Sequence, residues 1–238
     1  MGDLAGAVRA ALAEAGDPER ARAQQAYMRS AMPFRGVSSP ELRRLLRPVL
    51  GGAGTAPADR AGWEAAVRGL WDGAAYREER YAAIAVARMR GARPWQDVAT
   101  LDLYRHLVVT GAWWDLVDPV AVDLVGPILL RDREAATPVI RSWAVADDLW
   151  LRRTALIAQL KHGEGTDVGL LADVVDANVE GSPFGNEFFV RKAIGWALRQ
   201  YARTDPAWVA GFVASRGERL SGLSRREALK HLGPAGSS

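Results

Sequence analysis

The chain has 238 residues, of which 49% are hydrophobic and 25% charged, and its formal net charge is +3. That length and balance suit a folded chain with a substantial core and argue against disorder. It has no cysteine, and its three histidines, His106, His162 and His231, lie far apart; disulfide scaffolds, thiolate chemistry and a compact histidine metal motif are thereby excluded. The opening residues do not read as a signal peptide, and no apolar run approaches the roughly 20 residues of a membrane span. A cytoplasmic protein without a membrane partner is expected.

Good helix formers dominate the chain, and the period-2 alternation of strands is hard to find. Breaks at Gly36–Pro40, Gly51–Pro57, Gly91–Pro94, Gly111, Gly163–Gly165, Gly181–Gly185 and Asp205-Pro206 delimit segments of about 10 to 20 residues, a usual helix length. Ser38-Ser39-Pro40-Glu41 carries cap chemistry and a proline for the first helical turn. Further on, Ala82, Ile84, Ala85, Ala87 and Met89 recur at helical spacing, and Leu149, Trp150, Leu156 and Ile157 do the same. The prediction is an all-α chain forming a single domain over 1–232, with a frayed tail over 233–238.

A weak repeat runs through these helices. Arg80-Tyr-Ala-Ala-Ile-Ala-Val-Ala-Arg88, Arg153-Thr-Ala-Leu-Ile-Ala-Gln-Leu-Lys161 and Arg191-Lys-Ala-Ile-Gly-Trp-Ala-Leu-Arg199 each open with arginine and end on a base. Their starts are separated by 73 and 38 residues, close to two units and one unit of a helical-hairpin repeat of about 37 residues. Asp118 stands near the place of the missing member. Such hairpins bury their apolar faces by stacking, which predicts an α-solenoid of antiparallel helix pairs with a concave wall. Arg80, Asp118, Arg153 and Arg191 then share one register and project toward that wall. Residues 97–134 hold three bases and seven acids, whereas 76–93, 187–203 and 216–231 are basic, so an acidic centre lies between basic flanks.

The densest motif is Gly111-Ala-Trp113-Trp114-Asp115-Leu-Val-Asp118. Trp114 and Asp118 are four apart and share a helix face, while Trp113 reads as core and Asp115 as a helix-cap acid. A carboxylate buried beside an indole needs a partner, and Arg153, in register in the next repeat, is the natural one. Trp196 falls in the matching helix of the following repeat, next to Gly195, which allows a close approach. Trp63, Trp71, Trp95, Trp143, Trp150 and Trp208 read as packing residues. Two readings compete with a catalytic site built on Trp114, Asp118, Arg153 and Trp196: a non-catalytic HEAT-repeat module that binds DNA or protein, which would not need those four together, and a metal-dependent hydrolase built on Asp115, Asp118 and Asp123. The second is disfavoured because those carboxylates fall on different helix faces and no histidine is near.

Four segments carry a family resemblance: Tyr27-Met-Arg-Ser-Ala-Met-Pro-Phe-Arg-Gly36, Trp113-Trp-Asp-Leu-Val-Asp118, Asp148-Leu-Trp-Leu-Arg-Arg-Thr-Ala155 and Glu187-Phe-Phe-Val-Arg-Lys-Ala-Ile-Gly-Trp-Ala-Leu-Arg-Gln-Tyr-Ala202. In order and spacing they resemble the AlkD-type DNA alkylation repair enzymes, HEAT-like-repeat glycosylases that remove alkylated purines, over about residues 20–205. The resemblance implies a concave DNA-binding groove, with Asp118 as the catalytic carboxylate and Trp114 and Trp196 as aromatic walls beside the lesion. It also implies Arg153 as a DNA-backbone and active-site arginine, Tyr27 as a helper near the lesion, and Arg199 as a further backbone contact. The expected substrate is duplex DNA carrying N3- or N7-alkylated purines such as 3-methyladenine and 7-methylguanine, met by a monomer without metal or cofactor. The lesion would be captured without deep base flipping, and an open site would tolerate bulky adducts. No lysine lies in this constellation except Lys192, whose role stays open, so a monofunctional glycosylase that leaves an abasic site and makes no Schiff base with DNA is expected. The stretch 180–186 looks longer than usual, which would alter the groove edge there.

Overall fold

A computed structural model describes residues 3–52 and 56–232; the expected tail over 233–238 lies outside the described residues. Fourteen α-helices and no strand occur among them, the all-α class of stacked helical pairs read from the sequence. The residues group into two compact units, Met1–Gln96 and Asp97–Ser238.

The first unit contains α1 (Leu4–Glu14), α2 (Pro18–Met28), α3 (Ser39–Gly51), α4 (Arg60–Asp72) and α5 (Arg77–Ala87). The cap expected at Ser38 forms as a reciprocal box, in which Ser38 accepts from the Glu41 N–H and the Glu41 carboxylate accepts from the Ser38 N–H at 2.9 Å. Trp63, Val67, Leu70 and Trp71 of α4 are fully buried where α4 packs on α5. The Trp63 indole N–H is satisfied there by the Val86 carbonyl at 3.1 Å.

The first turn of α5 is unusual because Arg77, Glu78 and Glu79 are all buried. Glu79 pairs with Arg9 of α1 at 3.1 Å and with Arg35 at 3.5 Å, and the partners of Arg77 and Glu78 lie in the loop after α2. The Glu78 carboxylate accepts the backbone N–H groups of Arg35, Gly36 and Val37 at 3.0, 2.9 and 3.1 Å, and the Arg77 N–H donates to the Pro33 carbonyl at 2.9 Å. Gly36 has φ 87°, and a Cβ there would lie 2.0 Å from the Asp17 carbonyl oxygen, so only glycine fits. The Pro-Phe-Arg-Gly end of the Tyr27–Gly36 motif is thus a loop stapled to α5.

The second unit contains α6 (Leu101–Gly111), α7 (Trp114–Val120), α8 (Gly126–Arg131), α9 (Arg133–Ala144) and α10 (Leu149–Ile157), then α11 (Val168–Asp176), α12 (Phe188–Tyr201), α13 (Pro206–Arg216) and α14 (Gly222–Ala228). Helix α10 is its centre, packing on α6, α7, α9, α11 and α12. Every residue from Leu151 to Ile157 is buried, as expected of a helix enclosed on all sides. Two of them are arginines, and each needs acceptors. Arg152 takes the Ala146 and Val145 carbonyls at the end of α9, at 2.6 and 3.0 Å, and the Asn178 amide oxygen at 3.2 Å. Arg153 turns toward α7.

Between α7 and α8 the helix widens into a π-turn over Ala121–Val125, closed by the Gly126 N–H on the Ala121 carbonyl. Pro127, which has no N–H to give the preceding turn, follows at once. The opening of α8 abuts the end of α10, where a Cβ on Gly126 would lie 2.5 Å from the Ala158 carbonyl oxygen.

Candidate active site

Asp118 lies one turn into α7, and Arg153 reaches it from the facing turn of α10. The guanidinium meets the carboxylate edge to edge, with Nε to Oδ1 at 2.7 Å and Nη2 to Oδ2 at 2.8 Å, the bidentate geometry that makes such pairs strong. The remaining terminal nitrogen, Nη1, donates to the Phe189 carbonyl at 2.7 Å, so one side chain ties α7, α10 and α12 together. Burial pushes the Asp118 carboxyl above its ordinary range; the hydrogen bonds and charge of Arg153 oppose that rise, and the nearby Asp115 charge adds to it.

The Asp118 side chain keeps 14% of its surface exposed, and that surface faces an open cavity of about 370 Å³. Trp196 lines the same cavity from α12, together with Asp123, Lys161 and Gln200 and the apolar side chains of Pro119, Val122 and Leu160. Behind Asp118 and Arg153, Trp113, Trp150 and Phe189 form an aromatic cluster with ring centroids 5.0 to 6.0 Å apart. The cluster fixes the start of α7 against α10 and α12. A carboxylate held from one side by a fork, open on the other side and bordered by an indole can stabilise a developing cation.

A family model for DNA alkylation repair enzymes matches residues 8–232. The chain belongs to that family. A role in the repair of alkylated DNA follows from this membership. A solved structure described as a "Predicted DNA alkylation repair enzyme" from Enterococcus faecalis is 30% identical, with a TM-score of 0.79, covering 92% of this chain and 98% of that one. No curated protein matches the sequence. No helix among the described residues is long and apolar enough to cross a membrane.

The residues singled out from the sequence of this repair-family chain take different places. Arg153, Asp118 and Trp196 come together, and the Asp118–Arg153 pairing expected from register is present. Trp114, one turn before Asp118, is 36% exposed and stands outside the cavity lining. Arg191 donates to the Gly185 carbonyl at 3.1 Å and to the Asn186 side chain, anchoring the 180–186 stretch. Arg199 pairs with Glu227 of α14, and Lys192 shares that carboxylate at 2.9 Å. The close approach allowed by Gly195 is made by α14 itself, since a Cβ there would lie 2.5 Å from Glu227 Cβ. Tyr27 and Arg80 belong to the first unit, Tyr27 with 78% of its surface exposed and Arg80 with its guanidinium 5.0 Å from the Trp71 ring.

Asp118 and Asp123 both line the cavity, at the two edges of one wide helical face, with Asp123 inside the π-turn. Each is held by a base, Asp118 by Arg153 and Asp123 by Lys161 at 2.5 Å. Lys192, whose role the sequence leaves open, pairs with Glu227 and stands outside the cavity lining. Lys161 lines it instead, and the sequence marked it only as the base that ends the second repeat copy.

Proposed function

We propose that the chain is a monofunctional DNA glycosylase that hydrolyses the N-glycosidic bond of cationic N3- or N7-alkylated purines in duplex DNA. The observation that carries this reading is Asp118, gripped by Arg153 on one side and open to a cavity bordered by Trp196 on the other. Alkylation makes the purine a cation and hence a good leaving group, so little acid catalysis is required. As the bond from C1′ to the purine stretches, positive charge grows on the deoxyribose. A carboxylate beside that sugar stabilises the charge and orients the water that adds to C1′, as carboxylates do in other glycoside cleavages.

Arg153 serves this chemistry by holding the carboxylate in place. Its two hydrogen bonds oppose the desolvation that raises the Asp118 pKa, and so favour the ionised form that the reaction needs. The face of Trp196 attracts a cationic base or sugar, which favours alkylated over neutral nucleotides. Exposed Trp114 supplies a second indole that an incoming duplex can meet. The openness of the cavity supports capture of the lesion without burial in a deep pocket, and with it tolerance of bulky adducts.

The test is incubation with duplex DNA methylated at random, followed by chromatography of released bases with and without a chelator. Release of free 3-methyladenine or 7-methylguanine in both conditions, with abasic sites left uncleaved, is the expected result. DNA binding without any base release would return the protein to the non-catalytic module.

A further inference from the structure

Lys161 and Asp123 have no part in the chemistry above, yet both line the Asp118 cavity. Residues five apart on a regular α-helix point about 140° from one another, so Asp118 and Asp123 stand at the two edges of the cavity face they form with Pro119 and Val122. Asp123 itself lies within the π-turn over Ala121–Val125. Asp123 in turn draws Lys161, from the turn after α10, to the rim at 2.5 Å. The lysine side chain is 67% exposed while Asp123 is 14% exposed. The ammonium is therefore presented to solvent and the carboxylate is tucked behind it.

Among the described residues that line the cavity, Lys161 alone is cationic. Arg153 lies behind Asp118, with Nε, Nη1 and Nη2 all engaged. A nucleotide that brings its C1′ to Asp118 carries a phosphate on each side of its sugar, so an ammonium on the same rim meets one of them. An exposed ion pair is weak, and an ammonium on a flexible stem changes anionic partners readily.

We propose that Lys161 is a clamp for a DNA phosphate flanking the alkylated nucleotide, kept at the rim by Asp123 until the duplex takes its place. The proposal rests on the reading that DNA presents its sugar to Asp118. Undamaged duplex and a duplex carrying a stable abasic-site analogue are titrated by fluorescence anisotropy at salt concentrations from roughly 50 to 200 mM. Lys161→Ala flattens the slope of log affinity against log salt by about 0.9, the contribution of one phosphate contact, whereas Lys161→Arg keeps it. Asp123→Asn binds more tightly than the wild type with the slope unchanged, because no ion pair has to be broken. An unchanged slope in Lys161→Ala overturns the clamp, and weaker binding by Asp123→Asn overturns the holding role of Asp123. Base release from methylated duplex is measured in parallel. If the slope falls but the wild type releases no base, the clamp stands and the glycosylase reading fails. If base is released and the slope is unchanged, the clamp alone fails.

Discussion

Glu78 in the first unit and Asp118 in the second are both carboxylates taken out of bulk water, and the two environments meet that cost differently. Glu78 is surrounded by donors from the main chain, the N–H groups of Arg35, Gly36 and Val37, and is fully buried. Its charge is consumed in holding a loop. Asp118 receives two hydrogen bonds from a single guanidinium and turns its remaining surface to a cavity. A buried charge becomes useful for chemistry only when its partners satisfy it from one side and leave another side for a substrate. Burial alone marks both residues, and the distribution of donors separates them.

That contrast can be broken or sharpened by substitution, taking the largest expected effect first. Asp118→Asn keeps the size of the side chain and removes the charge. It is expected to lower release of 7-methylguanine on the order of 100-fold or more while DNA binding is retained; release at the wild-type rate would remove Asp118 from the chemistry. Arg153→Ala breaks a buried pair and is expected to lower unfolding stability by about 3 kcal/mol in denaturant titration. It also changes the pH profile. The reaction needs ionised Asp118, so activity falls as pH drops through a pKa already raised by burial, and Arg153 opposes that rise. Without the arginine the acid limb of base release moves to higher pH, and a limb that stays in place would show that Arg153 does not tune the carboxylate. Glu78→Gln is expected to cost about 1 kcal/mol through loss of charge-assisted hydrogen bonds to the loop. It should leave base release per folded molecule unchanged; a change in the chemical step would mean that Glu78 does more than hold its loop.

Much of this was legible along the chain because it depends on local period and short-range chemistry. The helical class, the Ser38 cap and the placement of Asp118 and Arg153 at matching helix positions follow from apolar spacing, capping residues and a repeat of arginine-led helices. The tryptophan motifs were equally visible, and Trp113 packs as expected while Trp196 reaches the cavity. Lys161 and Asp123 were hidden for a definite reason. Lys161 comes from the turn after α10 and meets Asp123 across 38 residues of chain, a separation that no local residue pattern announces.

The sequence by itself determined which segments become helices and which residues can carry charge and aromatic surface, since both are properties of neighbours a few residues apart. Only the tertiary structure decided how the charges were shared out. Arg153 was matched to Asp118, Lys192 and Arg199 to Glu227, Arg191 to its preceding loop and Lys161 to Asp123. Those partners, apart from the loop of Arg191, are 28 to 38 residues apart in the chain. Ion pairing at such separations is set by how helices pack, which local spacing does not encode.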